Sequence, residues 1–226
     1  MFEVKNISMI YDMDTDEKMY ALNGFDLKLP DKGLVGIIGP SGSGKSTLMY
    51  CLSTLKNPTE GTISYNGKSL TTLTNRERER LRRQEFGFIF QKHYLVPYMS
   101  AMDNVMVAAL RDDRQVRERA EEFLKTLGLK EREFGKRPAK LSGGQCQRVA
   151  VARAMINDPK VIFADEPTAS LDHENAFNVM RILKDYSKDR LVLVVTHDRS
   201  ILSDVDMLIE MWDGNISNAQ ERSIGQ

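Results

Sequence analysis

The stretch that decides the fold of this chain is Gly39-Pro40-Ser41-Gly42-Ser43-Gly44-Lys45-Ser46, followed by Thr47. It fits the phosphate-loop pattern, in which two glycines separated by four residues precede Lys and Ser. Glycine lets backbone N–H groups turn inward around phosphate oxygens, Lys45 supplies a positive charge, and the Ser46 hydroxyl can ligate Mg²⁺. An apolar run at residues 34–38 predicts a buried strand before the loop, and a helix is predicted after it. Because helix N-termini favour anions, we interpret the loop as a nucleotide site rather than a flexible surface turn.

Composition and charge narrow the class of protein. At 226 residues, the chain is long enough for one domain with a proper core. Lys plus Arg and Asp plus Glu each total 32, so the net charge does not favour nucleic acid or an anionic membrane surface as a partner. Cys51 and Cys146 show no metal-ligand spacing, which indicates unpaired thiols in a reducing, cytosolic compartment. No signal-peptide pattern is recognisable and the apolar runs are too short to span a bilayer, so we expect any membrane role to depend on a partner.

Hydrophobic patterning separates strand-rich from helix-rich regions. Alternation over residues 2–7 and 21–29 predicts half-exposed strands, and the polar residues 12–18 between them predict a loop. Short apolar runs that alternate with helices predict an α/β fold with a parallel sheet covered on both faces. From residue 92 to 157, helical patterns replace strand patterns, which indicates a helical insert. The last ten residues are polar and are expected to be loose.

Turn and charge signals predict three further elements. Asn66-Gly67 after a short strand and Asp213-Gly214 near the C-terminus are both typical of hairpin turns. The charged run at residues 75–84 mixes arginines with glutamates, so it predicts a solvated helix rather than a nucleic-acid surface.

Polar side chains follow each of the predicted buried strands. Beside the phosphate loop, these are Gln91, the pair Asp165-Glu166, and His197. Ligands bind at the carboxyl ends of parallel strands, so we expect these residues to lie at one site. Asp165 can hold Mg²⁺, Glu166 can accept a proton from attacking water, and His197 can sense a terminal phosphate. Each assignment has an alternative. Asp165 and Glu166 could be exposed acids in a turn, His197 could be an ordinary structural histidine, and Gln91 could simply end its strand.

A second glycine-rich motif, Leu141-Ser142-Gly143-Gly144-Gln145, precedes a predicted helix. Ser142 and Gln145 meet the capping-box rule, so a well-capped helix is one interpretation. Two glycines in a first turn cost helix stability, however, and they are what close approach to an anion requires. The motif therefore indicates either a second nucleotide site or a site shared between two subunits.

Taken together, these motifs resemble the nucleotide-binding domain of an ATP-binding cassette (ABC) transporter over essentially the whole chain. Six family motifs occur in the family's order. They are the phosphate loop at 39–47, the Q-loop at Gln91, the signature at 141–145, the Walker B strand at 161–165 with Glu166, the D-loop Ser170-Leu171-Asp172, and the switch His197. The chain departs from the usual pattern at Cys146, where Gln commonly follows the signature. A thiol there would make the dimer face sensitive to oxidation.

The resemblance implies a P-loop NTPase (RecA-like) core with a mainly parallel sheet, an N-terminal antiparallel β subdomain and an inserted α-helical subdomain. The core and the antiparallel β subdomain would occupy residues 1–91 and 158–226, and the helical subdomain would occupy residues 92–157. Two such domains would stack head to tail around two ATP molecules. Each ATP would lie between the phosphate loop of one copy and the signature of the other, which favours the shared site.

The resemblance also implies site residues. The expected ATP-binding residues are Tyr11, Gly39, Pro40, Ser41, Gly42, Ser43, Gly44, Lys45, Ser46, Thr47, Ser142, Gly143, Gly144 and Gln145. The expected catalytic residues are Lys45, Gln91, Glu166 and His197, and the expected Mg²⁺ ligands are Ser46, Gln91 and Asp165. Tyr11 is expected to stack on adenine, and Tyr20 is the less favoured alternative.

Within the family, the segments 87–91 and 95–97 and the pair Asn104-Val105 are similar to the lipoprotein-release, macrolide-efflux and peptide-export ATPases. This similarity implies an ATPase that pairs with itself or a paralogous subunit and powers export or extraction of a lipoprotein, peptide or drug. The chain would act at the cytoplasmic side of a bacterial membrane, through a separate integral membrane permease. In the alternative function, ATP-driven closure regulates a signalling, cell-wall or division complex without transport. The genes beside this one would discriminate between the two.

The apolar segment from His93 to Val107 is our candidate for docking a coupling helix of the membrane subunit. Ordinary subdomain core is the alternative. Other ATPase classes fit less well, because DNA-repair ATPases carry a long coiled-coil insert and small-molecule kinases have no use for the signature motif.

Overall fold

A computed structural model of the chain describes residues 1–11 and 18–221. Residues 12–17 of the predicted acidic loop lie outside this description. Within the described ranges, no helix is both long and apolar enough to cross a bilayer.

The described strands form two sheets. They are β1 (Phe2–Tyr11), β2 (Met19–Leu29), β3 (Gly33–Ile38), β4 (Glu60–Tyr65), β5 (Lys68–Ser69), β6 (Phe86–Ile89), β7 (Val161–Asp165), β8 (Leu191–Thr196), β9 (Met207–Trp212) and β10 (Asn215–Glu221). The first sheet is antiparallel, in the order β2-β1-β4-β5. The second has the order β10-β9-β3-β8-β7-β6, in which β9, β3, β8, β7 and β6 are parallel and β10 is antiparallel to β9. The predicted α/β architecture is confirmed.

Strands β3, β7 and β8 in the middle of the second sheet are apolar up to the polar residues at the ends of β7 and β8, as expected where both faces of a sheet are covered. Along β7, Val161 and Phe163 belong to one hydrophobic cluster, and Ile162 and Ala164 belong to another on the opposite face. Successive side chains of a strand point to opposite faces, so each residue of the run packs into one of the two layers. The sheet therefore forms the middle layer of the molecule.

The described helices lie between the strands. They are α1 (Lys45–Leu52), α2 (Asn75–Glu85), α3 (Ala101–Met106), α4 (Arg114–Thr126), α5 (Glu131–Phe134), α6 (Gly143–Met155) and α7 (His173–Tyr186). Helices α3 to α6 occupy the chain between β6 and β7, where the sequence predicts a helical insert. The amphipathic face of α4 buries Ala120 and Leu124 in the same cluster as α6. The boundaries 92 and 157 of the helical subdomain stay a prediction.

Both predicted hairpins are present. Asn66 and Gly67 have φ angles of 50° and 76°, and Asp213 and Gly214 have φ angles of 45° and 72°. Two successive positive φ angles are the geometry of the tight turn that matches strand twist. The first half of the expected loose tail, residues 217–221, is instead part of a strand, and residues 222–226 lie outside the described part of the chain. Strand β10 continues to Glu221, because its backbone pairs with β9 as far as Met207.

Candidate ATP site

The phosphate loop connects β3 to the N-terminus of α1, as its sequence predicts. Gly44 occupies the N-cap position of α1 with a φ of 94°. A Cβ atom at Gly44 would overlap the carbonyl oxygen of Ala21. Both the left-handed backbone and the close approach therefore require glycine. The first N–H groups of α1 are left free to bind an anion.

The Lys45 side chain lies inside the loop. Its Nζ donates to the carbonyl oxygens of Gly39 and Pro40, at 2.8 and 2.7 Å. Burial lowers the pKa of Lys45, and the nearby carboxylates of Glu166 and Asp165 oppose that effect. The ammonium is therefore held by loop carbonyls, and no carboxylate of residues 1–11 or 18–221 forms an ion pair with it, so its charge is available to a phosphate.

Asp165 ends β7 in a buried position and faces α1. Its Oδ1 accepts from Ser46 Oγ at 3.1 Å, and its Oδ2 accepts from Tyr50 OH at 3.1 Å. Burial raises the pKa of Asp165, although both hydrogen bonds oppose the rise. The adjacent hydroxyl and carboxylate oxygens are hard donors of the type that Mg²⁺ prefers. No cluster of three or more His, Cys, Asp or Glu side chains suited to a metal occurs within residues 1–11 and 18–221.

Glu166 and His197 are in direct contact. Glu166 Oε1 lies 2.7 Å from His197 Nδ1 and accepts from the His197 backbone N–H at 3.0 Å. Glu166 Oε2 accepts from Thr196 Oγ1 at 3.0 Å. These bonds bring the ends of β7 and β8 together and hold the carboxylate in a defined orientation.

These groups surround one cavity of about 540 Å³. The predicted residues that line it are Tyr11, Ser41, Gly42, Gly44, Lys45, Ser46, Thr47, Gln91, Asp165, Glu166 and His197. Gly39, Pro40 and Ser43 belong to the loop without lining the cavity, and Tyr20 is not among the lining residues. Gln91 is exposed at the cavity edge. Tyr11 also lies at the edge, where its hydroxyl contacts Lys56 Nζ at 2.6 Å.

The signature residues Ser142, Gly143, Gly144 and Gln145 do not line this cavity. They form the start of α6, where Ser142 and Gln145 make the predicted capping box. Both helix-capping and anion binding therefore remain compatible with the motif, but within one chain it contributes nothing to the cavity of the phosphate loop. Cys146 is buried and burial raises the pKa of its thiol, which argues against the expected sensitivity to oxidation.

Comparison with known proteins identifies the family. The family model described as ABC transporter matches residues 22–169. The chain belongs to the ABC transporter family.

Relatives and solved structures support this membership. The chain is 41% identical over 225 residues to the macrolide export ATP-binding/permease protein MacB of Wolinella succinogenes. The alignment covers 98% of this chain but only 35% of that protein. It is 38% identical over 221 residues to the lipoprotein-releasing system ATP-binding protein LolD of Wigglesworthia glossinidia brevipalpis, covering 96% of each. A dimeric, post-hydrolysis ATP-binding cassette bound to ADP and Pi superimposes with a TM-score of 0.92 at 36% identity, covering 99% of this chain and 100% of that one.

These comparisons confirm the P-loop NTPase fold and the assignment to the ABC ATPases of the group that contains MacB and LolD. They also confirm ATP as the ligand class and hydrolysis as the reaction of this domain type. The roles of the individual residues stay predictions.

A second, larger groove of the ABC domain lies apart from the ATP cavity and has a volume of about 670 Å³. Its lining combines apolar and basic side chains, among them Leu55, Phe88, Phe90, Tyr94, Val107, Arg82, Arg83 and Arg153. The predicted docking segment, residues 93–107, contributes to it only in part. Tyr94 and Val107 line the groove, whereas Ala101 and Val105 are buried in the core. Tyr94 and Val107 therefore stay candidates for docking a partner helix, whereas Ala101 and Val105 are ordinary subdomain core.

Met19, Ala21 and Val195 line the cavity without having been predicted, and two further unpredicted residues hold predicted side chains from outside its lining. Thr196 is buried and bonds to Glu166, and Tyr50 bonds to Asp165. Thr196 directly precedes His197 in the sequence, so adjacency to a predicted site residue could have identified it. Tyr50 shares a helical face with Ser46, four residues earlier, which is the corresponding signal in α1.

Proposed function

We propose that this chain binds and hydrolyses Mg-ATP as a dimer and that the dimer drives an integral membrane partner. The observation that carries the proposal is the contact between Glu166 and His197 in the cavity that Lys45 and Ser46 also line. ATP hydrolysis requires a loop that binds the phosphates, a carboxylate that can ligate Mg²⁺ and a carboxylate that can act as a base. Asp165 and Glu166 would supply the two carboxylates.

The phosphates are the part of the substrate that the loop recognises. The loop N–H groups and Lys45 neutralise their charge, and Gly44 opens the helix N-terminus toward them. Ser46, Gln91 and Asp165 would hold Mg²⁺ in this cavity, consistent with their hard oxygen donors. When bound, Mg²⁺ stabilises the negative charge that develops on the phosphates. Tyr11 would cover the adenine ring from the cavity edge.

Glu166 acts as the base. Its carboxylate accepts the proton of the water that attacks the terminal phosphate. His197 and the Thr196 hydroxyl orient this carboxylate, and His197 also contacts the terminal phosphate. Efficient turnover depends on this orientation, because a general base must lie within hydrogen-bond reach of the proton that it removes.

The functional unit is a dimer. The signature residues do not reach the cavity of their own chain, so a second copy would supply its Ser142, Gly143 and Gly144 to the terminal phosphate. The dimeric arrangement of the related ATP-binding cassette supports this assembly. A homodimer is the simplest case, and a paralogous subunit with the same motifs would serve equally.

The partner is an integral membrane permease, and the chain would act at the cytoplasmic face of the membrane. The groove supports this proposal, because its lining combines the exposed Tyr94 and the partly buried Phe88 and Phe90 with Arg82, Arg83 and Arg153. Glu79 is the one acidic side chain among the described residues that line it. A short helix of the permease that presents apolar side chains and a carboxylate would complement this groove. The names of the macrolide-export and lipoprotein-releasing relatives support a macrolide-type drug or a lipoprotein as the transported molecule, in a bacterial cell. A peptide stays a further candidate substrate.

The variant Glu166→Gln tests the ATPase proposal. It should retain ATP affinity, lose nearly all turnover and accumulate as a dimer with saturating Mg-ATP, because the base is lost while the binding groups remain. Light scattering measures the dimer, and a fluorescent ATP analogue measures affinity. Lys45→Ala is the control, since it should weaken nucleotide binding itself. A Glu166→Gln chain that stays monomeric would contradict the shared site, and an unchanged turnover would contradict the role of Glu166.

A further inference from the structure

Tyr50 and Ser46 hold the same carboxylate from one face of α1. The Ser46 hydroxyl donates to Asp165 Oδ1 at 3.1 Å, and the Tyr50 hydroxyl donates to Asp165 Oδ2 at 3.1 Å. Residues four apart on a helix lie on the same face, so α1 presents both hydroxyls to the end of β7. The two oxygens of Asp165 are therefore occupied by different partners.

The hydroxyl of Tyr50 acts only as a donor in this contact. A tyrosine hydroxyl ordinarily ionises only at about pH 10, so the phenol is protonated near neutral pH and can donate to the carboxylate.

The ring of Tyr50 has a separate, packing role. It lies against the hydrophobic cluster that contains Leu48, Met49 and Phe163. Removing the hydroxyl while keeping the ring thus separates the hydrogen bond to Asp165 from the packing.

We propose that Tyr50 is a positioning residue for Mg²⁺ binding, because its hydroxyl fixes Oδ2 of Asp165 and leaves Oδ1 turned toward Ser46 and the phosphates. The assignment rests on the proposed Mg-ATP function. Without the Tyr50 hydroxyl, Asp165 can rotate about its Cβ–Cγ bond, and the oxygen pair that would hold the ion loses its alignment. Nucleotide affinity that does not depend on Mg²⁺ comes from the loop N–H groups and Lys45, whereas the Tyr50 hydroxyl donates to Asp165.

The test compares the parent chain with Tyr50→Phe in a titration with a fluorescent, non-hydrolysable ATP analogue. Each titration is run with Mg²⁺ and again with EDTA. The substitution should lower the Mg²⁺-dependent affinity about three- to tenfold, the range for loss of one hydrogen bond, and should leave the affinity in EDTA unchanged. Electron paramagnetic resonance of Mn²⁺, used in place of Mg²⁺ with ADP present, should show a larger free fraction in the variant. This second measurement is independent of turnover.

Tyr186→Phe is the matched control. Tyr186 is a tyrosine in α7 whose hydroxyl donates to Asp158 and to the carbonyl of Pro159, at 3.0 and 2.8 Å. It does not line the ATP cavity. This variant loses comparable hydrogen bonds, so it should lower thermal stability without changing either nucleotide affinity.

Equal losses of affinity with Mg²⁺ and with EDTA would overturn the assignment, because Tyr50 would then support the whole site. Unchanged affinities and an unchanged Mn²⁺ spectrum would also overturn it. If the parent chain itself bound nucleotide without any dependence on Mg²⁺, the proposed Mg-ATP function would fail, and this assignment with it.

Discussion

Glu166 adopts a left-handed backbone conformation, with a φ of 49°. For a residue with a long side chain this conformation costs about 1–3 kcal/mol, and such strain persists where the surrounding structure imposes it. The backbone N–H of Glu166 donates to the carbonyl of Val195 at 2.9 Å, and its carboxylate is held by Thr196 and His197. The geometry thus turns Glu166 from the end of β7 across to the end of β8, where its carboxylate faces the cavity.

Thr196 gives a prediction at this scale. Thr196→Val keeps the shape of the side chain and removes the hydroxyl that donates to Glu166 Oε2 and accepts from the Asp198 backbone N–H. Turnover should fall about tenfold, because the base loses one of the groups that orient it. Nucleotide affinity should stay unchanged, since Thr196 does not line the cavity. Steady-state ATPase assays and analogue titrations measure the two quantities, and an equal loss in both would contradict the orienting role.

At the scale of elements, the signature helix depends on a neighbour far from the ATP cavity. Gln145, in the first turn of α6, donates from Nε2 to Glu133 Oε1 at 2.7 Å. Glu133 Oε2 also accepts from the Lys130 backbone N–H at 2.9 Å. Helix α5 therefore holds the first turn of α6, which is the turn that the second copy of the chain would present to ATP.

This contact predicts a pH-dependent stability. The backbone hydrogen bond from Lys130 lowers the pKa of Glu133 below its ordinary value, against the opposing effect of burial, with help from Lys136 and Gln145. A carboxyl with a lowered folded pKa contributes stability above its unfolded pKa and loses that contribution as pH falls through the folded pKa. Glu133→Gln should therefore lower the free energy of unfolding by about 1 kcal/mol at pH 7. The difference from the parent should shrink as the pH falls below the ordinary pKa of Glu, about 4.3.

Urea unfolding at several pH values measures this difference. Glu131→Gln is the control, because Glu131 lies in the same helix and its exposed carboxylate pairs only with Lys125, at 2.7 Å. Exposed pairs contribute little, so this variant should unfold like the parent at each pH. A Glu133→Gln variant whose deficit grew as the pH fell would contradict the assigned sign.

At the scale of the whole molecule, the ATP cavity and the signature occupy separate places on the chain. The core connects them, because β7 ends at Asp165 and α6 packs against the same hydrophobic cluster as β7, through Val149 and Val151. A head-to-tail dimer would bring the cavity of one copy to the signature of the other. In such an isologous pair, two equivalent sites would form together.

The arrangement predicts the behaviour of a double variant. Adding Ser142→Arg to Glu166→Gln should abolish the dimer formed with Mg-ATP, because the bulky charge would lie at the interface. ATP affinity of the monomer should stay unchanged, since Ser142 does not line the cavity of its own chain. Ser217→Arg in the same background is the control, as Ser217 is exposed on the edge strand β10 and should leave dimer formation intact. Light scattering distinguishes these outcomes, and a dimer that survives Ser142→Arg would count against the shared site.

By itself, the sequence determined the class of fold and most of the cavity. Consecutive apolar residues in strands, glycines in the phosphate loop and carboxylates at strand ends are local patterns, and each has a physical cause that acts within a few residues. The predicted residues Lys45, Ser46, Asp165, Glu166 and His197 accordingly line one cavity. The extent of β10 was the exception, because polar residues at an edge strand are ordered by pairing with β9 and not by their own composition.

Only the tertiary structure decided which side chains orient the predicted ones. Tyr50 meets Asp165 across 115 residues of chain, and Gln145 meets Glu133 between separate helices. Such contacts depend on how elements pack. The four-residue spacing from Ser46 marks the helical face of Tyr50, but it does not identify Asp165 as the partner. The structure also showed that the phosphate loop and the signature do not meet within one chain. The sequence left two sites or one shared site open, and the separation of these motifs in the fold is the physical reason to favour the shared one.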